Sequence, residues 1–219
     1  MTEWRFDILP KPTRKALDYL KDAAWLSHGG WYLAGGTALA LQAGHRQSVD
    51  LDFFTPEKTF PPAEVVGNLP DGVWQADIVK EGTIYGKIHN AKVSFIAYPF
   101  FLPAKPKLSY GFVEMLDKDD IAVMKIIAIS QRGRKRDFVD LYWYVKNIAP
   151  LHSVLGKLKK QYPNIAHNFH HIIKSLTYFD DADKDPMPPL LFEVSWDGVK
   201  KFFREEAVKT AKELLGLNY

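Results

Sequence analysis

The chain contains no cysteine. That absence excludes disulfides, thiolate metal ligands and cysteine nucleophiles, and it favours a reducing compartment. No uninterrupted apolar run reaches membrane-spanning length, and residues 1–5 have no charged-then-apolar leader pattern, so a cytoplasmic protein with no membrane partner is expected. Charges of the two signs nearly cancel. A formal net charge of +3 is too small to demand nucleic acid, so any such argument must come from where the basic residues gather. Internal repeats and low-complexity tracts are also lacking. What the chain does have is apolar residues, 47% of 219, ample for the core of one large domain or two small ones.

The most informative stretch is residues 31–55, WYLAGGTALALQAGHRQSVDLDFFT. Trp31, Tyr32, Leu33 and Ala34 have the length and composition of a buried strand, and residues 38–42 favour a helix, so Gly35 and Gly36 form the turn of a strand-turn-helix. With no Cβ on either glycine the backbone amides can approach a ligand closely, and a helix start offers unpaired N–H groups to an anion. Thr37 is placed to cap that helix or to touch the same anion. Gly44 ends the helix, and residues 48–54 read as a strand with Val49, Leu51 and Phe53 on one face and Asp50 and Asp52 on the other. Two neighbouring carboxylates ionise comfortably beside a cation, and oxygen ligands suit magnesium better than zinc. The alternative is the solvated face of an edge strand.

Gly35-Gly36-Thr37 followed by Ser48-x-Asp50-x-Asp52 is similar to the signature of the polymerase-beta-type nucleotidyltransferase superfamily. Together with Met124-Lys125 and Arg132-Gly133-x-x-x-Arg136-Asp137-Phe138-x-Asp140-Leu141, the chain resembles the AbiEii/AbiGii toxin family of nucleotidyltransferases over residues 31–144, and again over 195–203. The resemblance implies an α+β protein: a nucleotidyltransferase-like mixed sheet domain over residues 1–110, and a mostly helical domain over 111–219 that closes the cleft. It implies transfer of a nucleotidyl group from a nucleoside triphosphate to an acceptor hydroxyl, with the 3′ end of transfer RNA or another RNA as acceptor. The biological setting it implies is a toxin neutralised by a cognate antitoxin. Gly35, Gly36 and Thr37 would then hold phosphates, Asp50 and Asp52 would bind Mg²⁺, with Mn²⁺ as an alternative ion, and Lys125, Arg132 and Arg136 would contact the nucleotide. Asp50, Asp52, Lys125 and Asp137 form the implied catalytic set, with Asp140 a further candidate. In the superfamily a strand equivalent to residues 92–98 carries a third acidic residue. Here Ser94 occupies that position and cannot carry the charge, which puts two-metal transfer in doubt; Asp77, on a neighbouring strand, and aspartates of the later helical region are the candidate substitutes.

Elsewhere the chain reads as follows. Residues 8–24 have helical spacing, 63–69 suggest a short helix, and 74–81, 83–89 and 92–98 read as strands. Pro99, Pro103 and Pro106 mark an extended link, with a domain boundary near Tyr110. A helix follows from the Asp117 cap to Gly133. Lys125 interrupts its apolar run, and its residue-level alternative is a side chain snorkelling out of a packed helix. Residues 131–136, QRGRKR, are the one concentrated basic run, fit for triphosphate or RNA backbone and equally for a solvated turn. Phe138, Leu141, Tyr142 and Val145 form the inward stripe of the next helix, leaving Asp137 and Asp140 off it. His167, His170 and His171 lack a ligand pattern for zinc and read as packing or surface groups. Asp181-x-Asp183-x-Asp185 fails as a calcium loop, with Pro186 where glycine and Phe192 where glutamate are needed, and reads as an acidic flexible loop. Residues 195–215 form an amphipathic helix capped by Ser195 or Asp197, with Val199, Phe202, Phe203, Ala207 and Ala211 inward. Two rival functions stay open: a nucleotide-binding module that lost turnover, and a transferase acting on a small antibiotic-like molecule.

Overall fold

The structure, a computed structural model, describes residues 3–215. The chain forms two compact units, Met1–Lys118 and Asp119–Tyr219. In the first, a 3-10 turn at Phe6–Ile8 leads into α1 (Lys11–Leu20), α2 (Trp25–His28), β1 (Tyr32–Ala34), α3 (Gly35–Ala43), β2 (Leu51–Thr55) and α4 (Pro62–Val66). The strands β3 (Trp74–Lys80), β4 (Thr83–Ile88), β5 (Ala91–Ala97), β6 (Leu108–Tyr110) and β7 (Val113–Met115) follow.

These strands make one sheet in the order β3-β4-β5-β2-β1-β7-β6. It is mixed: β2 runs parallel to β5 and β1 parallel to β7, while the other pairs are antiparallel. Central strands carry the apolar core, with Leu33, Leu51, Phe53 and Phe95 fully buried. The helical reading of residues 8–24 is interrupted, because Pro10 is extended (ψ 150°) and Pro12 sits in the first turn of α1, where a missing N–H costs nothing. Thr13, Ala16, Leu17 and Leu20 then face inward at helical spacing.

Two strands were not foreseen. Residues 108–115 form the hairpin β6–β7, whose β7 pairs with β1, so the first unit extends to Lys118 rather than ending near Tyr110. Strand β2 is also shorter than expected, starting at Leu51. Val49 is 51% exposed instead of inward, because side chains hold residues 48–50 out of the pleat: the Thr13 hydroxyl donates to the Val49 carbonyl (2.9 Å), and the Thr37 hydroxyl to that of Asp50.

The second unit is helical: α5 (Lys118–Gln131), α6 (Lys135–Asn147), α7 (Leu151–Gly156), α8 (Leu158–Gln161), α9 (Phe169–Ser175), α10 (Asp180–Asp183) and α11 (Trp196–Leu215). Its core is aromatic. The Phe138 ring packs against Phe179, Trp196 and Phe203 with centroids 5.2, 5.8 and 5.4 Å away. Ser195 caps α11 by accepting the Gly198 N–H (3.1 Å), and Val199, Phe203 and Ala207 are buried, whereas Phe202 and Ala211 are only partly so. Residues 180–185 are not a flexible loop. Asp183 accepts from the Trp196 indole and from Lys200 (3.2 Å), while Asp185 pairs with Arg134 (2.6 Å) and accepts the Lys135 N–H, so the acids serve as counter-charges that dock α10. The histidines take packing roles, His167 on the Tyr162 carbonyl and His171 on that of Ser130.

Phe138→Ala removes the ring shared by three aromatic neighbours, and should lower stability by about 3–5 kcal/mol in urea unfolding followed by circular dichroism.

Candidate active site

In the first unit the site is built where β1 runs directly into α3. Gly35 carries a left-handed φ of +71°, which turns the chain without an intervening loop, so both glycines lie in the first turn of the helix rather than ahead of it. The N-cap is Ala34, which offers no side-chain acceptor. The first amides of α3 therefore have no partner within the helix. A Cβ on Gly35 would stand 3.1 Å from Asp52 Oδ2, and one on Gly36 would stand 2.2 Å from Arg46 Nη2. The diglycine is thus the gap into which a carboxylate from β2 and a guanidinium from the α3–β2 connection fit.

Asp52 is held from its other side. Ser94, directly opposite it in the β2–β5 register, donates its hydroxyl to Asp52 Oδ1 (2.7 Å). Ser94 is 4% exposed and acts here as a positioning donor. Thr37 does not cap α3: it is the third residue of the helix, and its buried hydroxyl is shared with Ser48 Oγ (2.8 Å) and donated to the Asp50 carbonyl. Only its main-chain N–H is left for an anion. Asp77 cannot replace the absent third acid, since it lies exposed on edge strand β3 with β4 and β5 between it and β2.

Whether these groups fit a divalent ion follows from their chemistry. Among the described residues no cluster of three or more His, Cys, Asp or Glu side chains is placed to hold a metal. Magnesium, however, is usually held by one or two carboxylates, with substrate phosphates and water completing its shell. Asp52, with Asp50 just ahead of β2 rather than on its pleated face as expected, supplies that number of carboxylates, and the missing Cβ of Gly35 leaves the backbone beside Asp52 Oδ2 open. One ion fits this donor set.

In the second unit Lys125 neither snorkels to solvent nor projects freely. Its ammonium lies 2.7 Å from Asp137 Oδ1 and 2.6 Å from Asp140 Oδ2, and both carboxylates are completely buried. Asp137 and Asp140, three apart on α6, share its buried face, contrary to the expectation that they lie off it. The Arg132 Nε reaches Asp137 Oδ2 at 3.4 Å from a side chain that is 58% exposed. The rest of the basic run divides. Arg134 and buried Lys135 are tied to Asp185, whereas Arg136 is exposed.

Comparison with known proteins places the whole chain. Residues 19–84 and 93–213 match the model of the nucleotidyl transferase AbiEii toxin, type IV toxin-antitoxin system. The chain belongs to the AbiEii nucleotidyltransferase toxin family. It is 36% identical over 204 residues to an uncharacterised protein of Aquifex aeolicus (strain VF5), covering 90% of this chain and 95% of that one. Its fold is similar to that of a nucleotidyltransferase assigned in H. pylori, with a TM-score of 0.53 at 16% identity, over 94% of this chain and 98% of the other. MenT4, a nucleotidyltransferase toxin of Mycobacterium tuberculosis H37Rv, gives a TM-score of 0.53 at 13% identity, over 92% and 86% of the two chains.

As an AbiEii-family enzyme the protein is a nucleotidyltransferase. Reasoning on the sequence missed Arg46, which is 3% exposed and lies against Gly36. Its only signal was an arginine in the short connection between Gly44 and Asp50. Gly36→Ala should cost about 1–3 kcal/mol, because a buried guanidinium has nowhere to retreat, and chemical denaturation will measure it. Asp137→Ala strands a buried ammonium with one carboxylate fewer, and a loss of about 3–5 kcal/mol is expected by the same method.

Proposed function

We propose that the protein moves a nucleoside monophosphate from a nucleoside triphosphate to an RNA hydroxyl, the 3′ end of transfer RNA being the favoured acceptor. The observation that carries this reading is the position of Asp52, with one oxygen held by Ser94 and the other against the bare backbone of Gly35, at the amide-rich start of α3. Carboxylate and free amides side by side suit the two halves of a cation-triphosphate complex.

The acceptor oxygen attacks the α-phosphorus, a new phosphorus–oxygen bond forms, and the bond to the β-phosphate oxygen breaks, so pyrophosphate leaves with the electron pair. The hydroxyl proton passes to water, since Ser94 offers no basic group where a third carboxylate would stand. Gly35, Gly36 and Thr37 bind the β- and γ-phosphates through their main-chain N–H groups. Asp50 and Asp52 would hold Mg²⁺, which when bound neutralises charge developing on the transferred phosphoryl group. In the second unit we assign Lys125, Arg132 and Arg136 to the triphosphate. An ammonium has three donors, and Asp137 and Asp140 occupy two of those of Lys125, leaving one for a phosphate oxygen. Asp137 then serves transfer by fixing that geometry. A cognate antitoxin is the natural regulatory partner of such an activity.

Purified protein incubated with Mg²⁺, each labelled triphosphate and total transfer RNA should label the RNA. Asp50→Ala and Asp52→Ala should each lower the rate by more than about 100-fold while leaving the melting temperature nearly unchanged. Ser94→Ala removes only the group that orients Asp52, and a smaller loss of about 10–100-fold is expected. Labelling of a small molecule but of no RNA would overturn the RNA acceptor, and triphosphate binding without labelling of anything would overturn transfer.

A further inference from the structure

Away from the carboxylates, where the β4–β5 hairpin end meets the start of α1, lies a polar pocket of about 550 Å³. Lys11, Lys15, Lys87, His89 and Trp74 line it. Its charges are arranged against stability. Lys11 and Lys15 are one turn apart on α1, and like charges at that spacing repel. Lys11 also stands at the positive end of the helix dipole, and the first turn of α1 has no acid to offset it. Lys87 sits directly opposite Lys92 in the β4–β5 register, which brings a second like-charged pair onto one face. Among the described residues, none of these four lysines makes an ion pair.

The neutral groups agree. Trp74 Nε1 is a buried donor without a partner. The hairpin turn places His89 and Asn90 in left-handed conformations (φ +50° and +68°), where asparagine and glycine are the usual residues. Burial, and then the charge of Lys15, hold the His89 imidazole below its usual pKa. A ligand rich in negative oxygens would offset the repulsion among the lysines and accept a hydrogen bond from the Trp74 indole.

Position within the first unit identifies the ligand class. Lys92 precedes Ser94 by two residues on β5, so it lies on the same sheet face as Ser94 and its partner Asp52. Lys87 continues that face one strand further out. At the usual spacing of about 4.8 Å between strands, β4 is about 10 Å from the strand that carries Asp52. A single phosphate does not need four cations spread over a helix and two strands. We propose that this pocket, with Lys92 beside it, binds the phosphodiester backbone of the RNA acceptor a few nucleotides from the reacting end, at the strand ends from which Lys87 and Lys92 lead onto the sheet face of Asp52. The proposal rests on the RNA-acceptor reading above and adds to it a docking surface outside the carboxylate site.

The test is fluorescence anisotropy with labelled RNA bearing a single-stranded 3′ tail, in the Asp52→Ala background so that binding is read without turnover. Replacing Lys11, Lys15, Lys87 and Lys92 by Gln should weaken RNA binding at least about tenfold. It should also reduce the magnitude of the slope of log K against log salt by about two to three, the value for three or four lost contacts to a single strand. Replacement by Arg should retain most of the affinity, and the thermal shift given by ATP should not change. A control in which Lys58, Lys80, Lys201 and Lys212 become Gln should bind nearly as the parent does. Equal losses in the two Gln variants, or no loss in the first, overturn the proposal. Equal weakening of duplex DNA also overturns it, in favour of an indiscriminate polyanion surface. An enzyme that binds RNA through these lysines but labels none would retain the docking site and refute the transfer reading instead.

Discussion

Two missing side chains govern the first unit. Because Gly35 and Gly36 have no Cβ, β1 can turn into α3 at a single left-handed residue, and Asp52 and Arg46 can approach the backbone there. Charges of both signs meet at this point. The open amides of α3 and the buried guanidinium of Arg46 attract an anion, while Asp50 and Asp52 repel one unless a cation intervenes. On the proposed reading, a site of that composition would favour a metal-bound triphosphate over a bare one, since only the complex presents negative charge toward the helix and positive charge toward the carboxylates. The hydrogen bonds of Thr13 and Thr37 to residues 49 and 50 belong to the same device. They take the segment before β2 out of the sheet ladder and fix where Asp50 leaves the chain.

The second unit solves a different problem, that of keeping charge inside a helical core. Isolated, a buried ammonium or carboxylate costs several kcal/mol, and even a good pair seldom returns more than its desolvation. Lys125 with Asp137 and Asp140 is therefore a poor choice for stability alone, particularly in a core that elsewhere uses Phe138, Phe179, Trp196 and Phe203. What it gives is a lysine whose direction is fixed by two acceptors and whose counter-charges cannot be lost to solvent. Arg132 extends the cluster outward, linking a fully buried carboxylate to an exposed guanidinium.

The strands of the β4–β5 hairpin and the end of α3 were legible because each depended on local pattern. Residues 83–89 and 92–98 alternate, and Gly44 ends a helix with a left-handed φ. What could not be read came from tertiary pairing. The strands β6 and β7 are three residues each and carry no pattern of their own; they exist because β1 has a free edge to pair with. The burial of Asp137 and Asp140 was equally hidden, since an acid on the inner face of α6 makes sense only once Lys125 is known to meet it from α5. Arg46 could not be placed because its burial is set by a glycine ten positions earlier, and the acids of 180–185 looked solvated because their partners, Arg134, Lys135, Trp196 and Lys200, are remote in sequence.

Ser94 is where the register of the sheet bears most directly on chemistry. It faces Asp52 across a parallel pair, at the position from which a carboxylate would reach the same metal site. A carboxylate there would add a second negative charge within hydrogen-bonding distance of Asp52, tolerable only with more cation nearby. The serine instead donates to Asp52 Oδ1, leaving Oδ2 as the oxygen turned toward Gly35. One acceptor oxygen is thereby spent on orientation and one is kept for a ligand. That division suits a single ion shared with the substrate's phosphates, and it shifts catalytic weight from base chemistry to holding the triphosphate in line with its acceptor. For phosphoryl transfer, where positioning and charge neutralisation supply most of the acceleration, such a shift is compatible with turnover. On the proposed reading, the bare turn of Gly35 and Gly36 and the lysines at the end of the hairpin would then serve one task, that of holding polyanions in place.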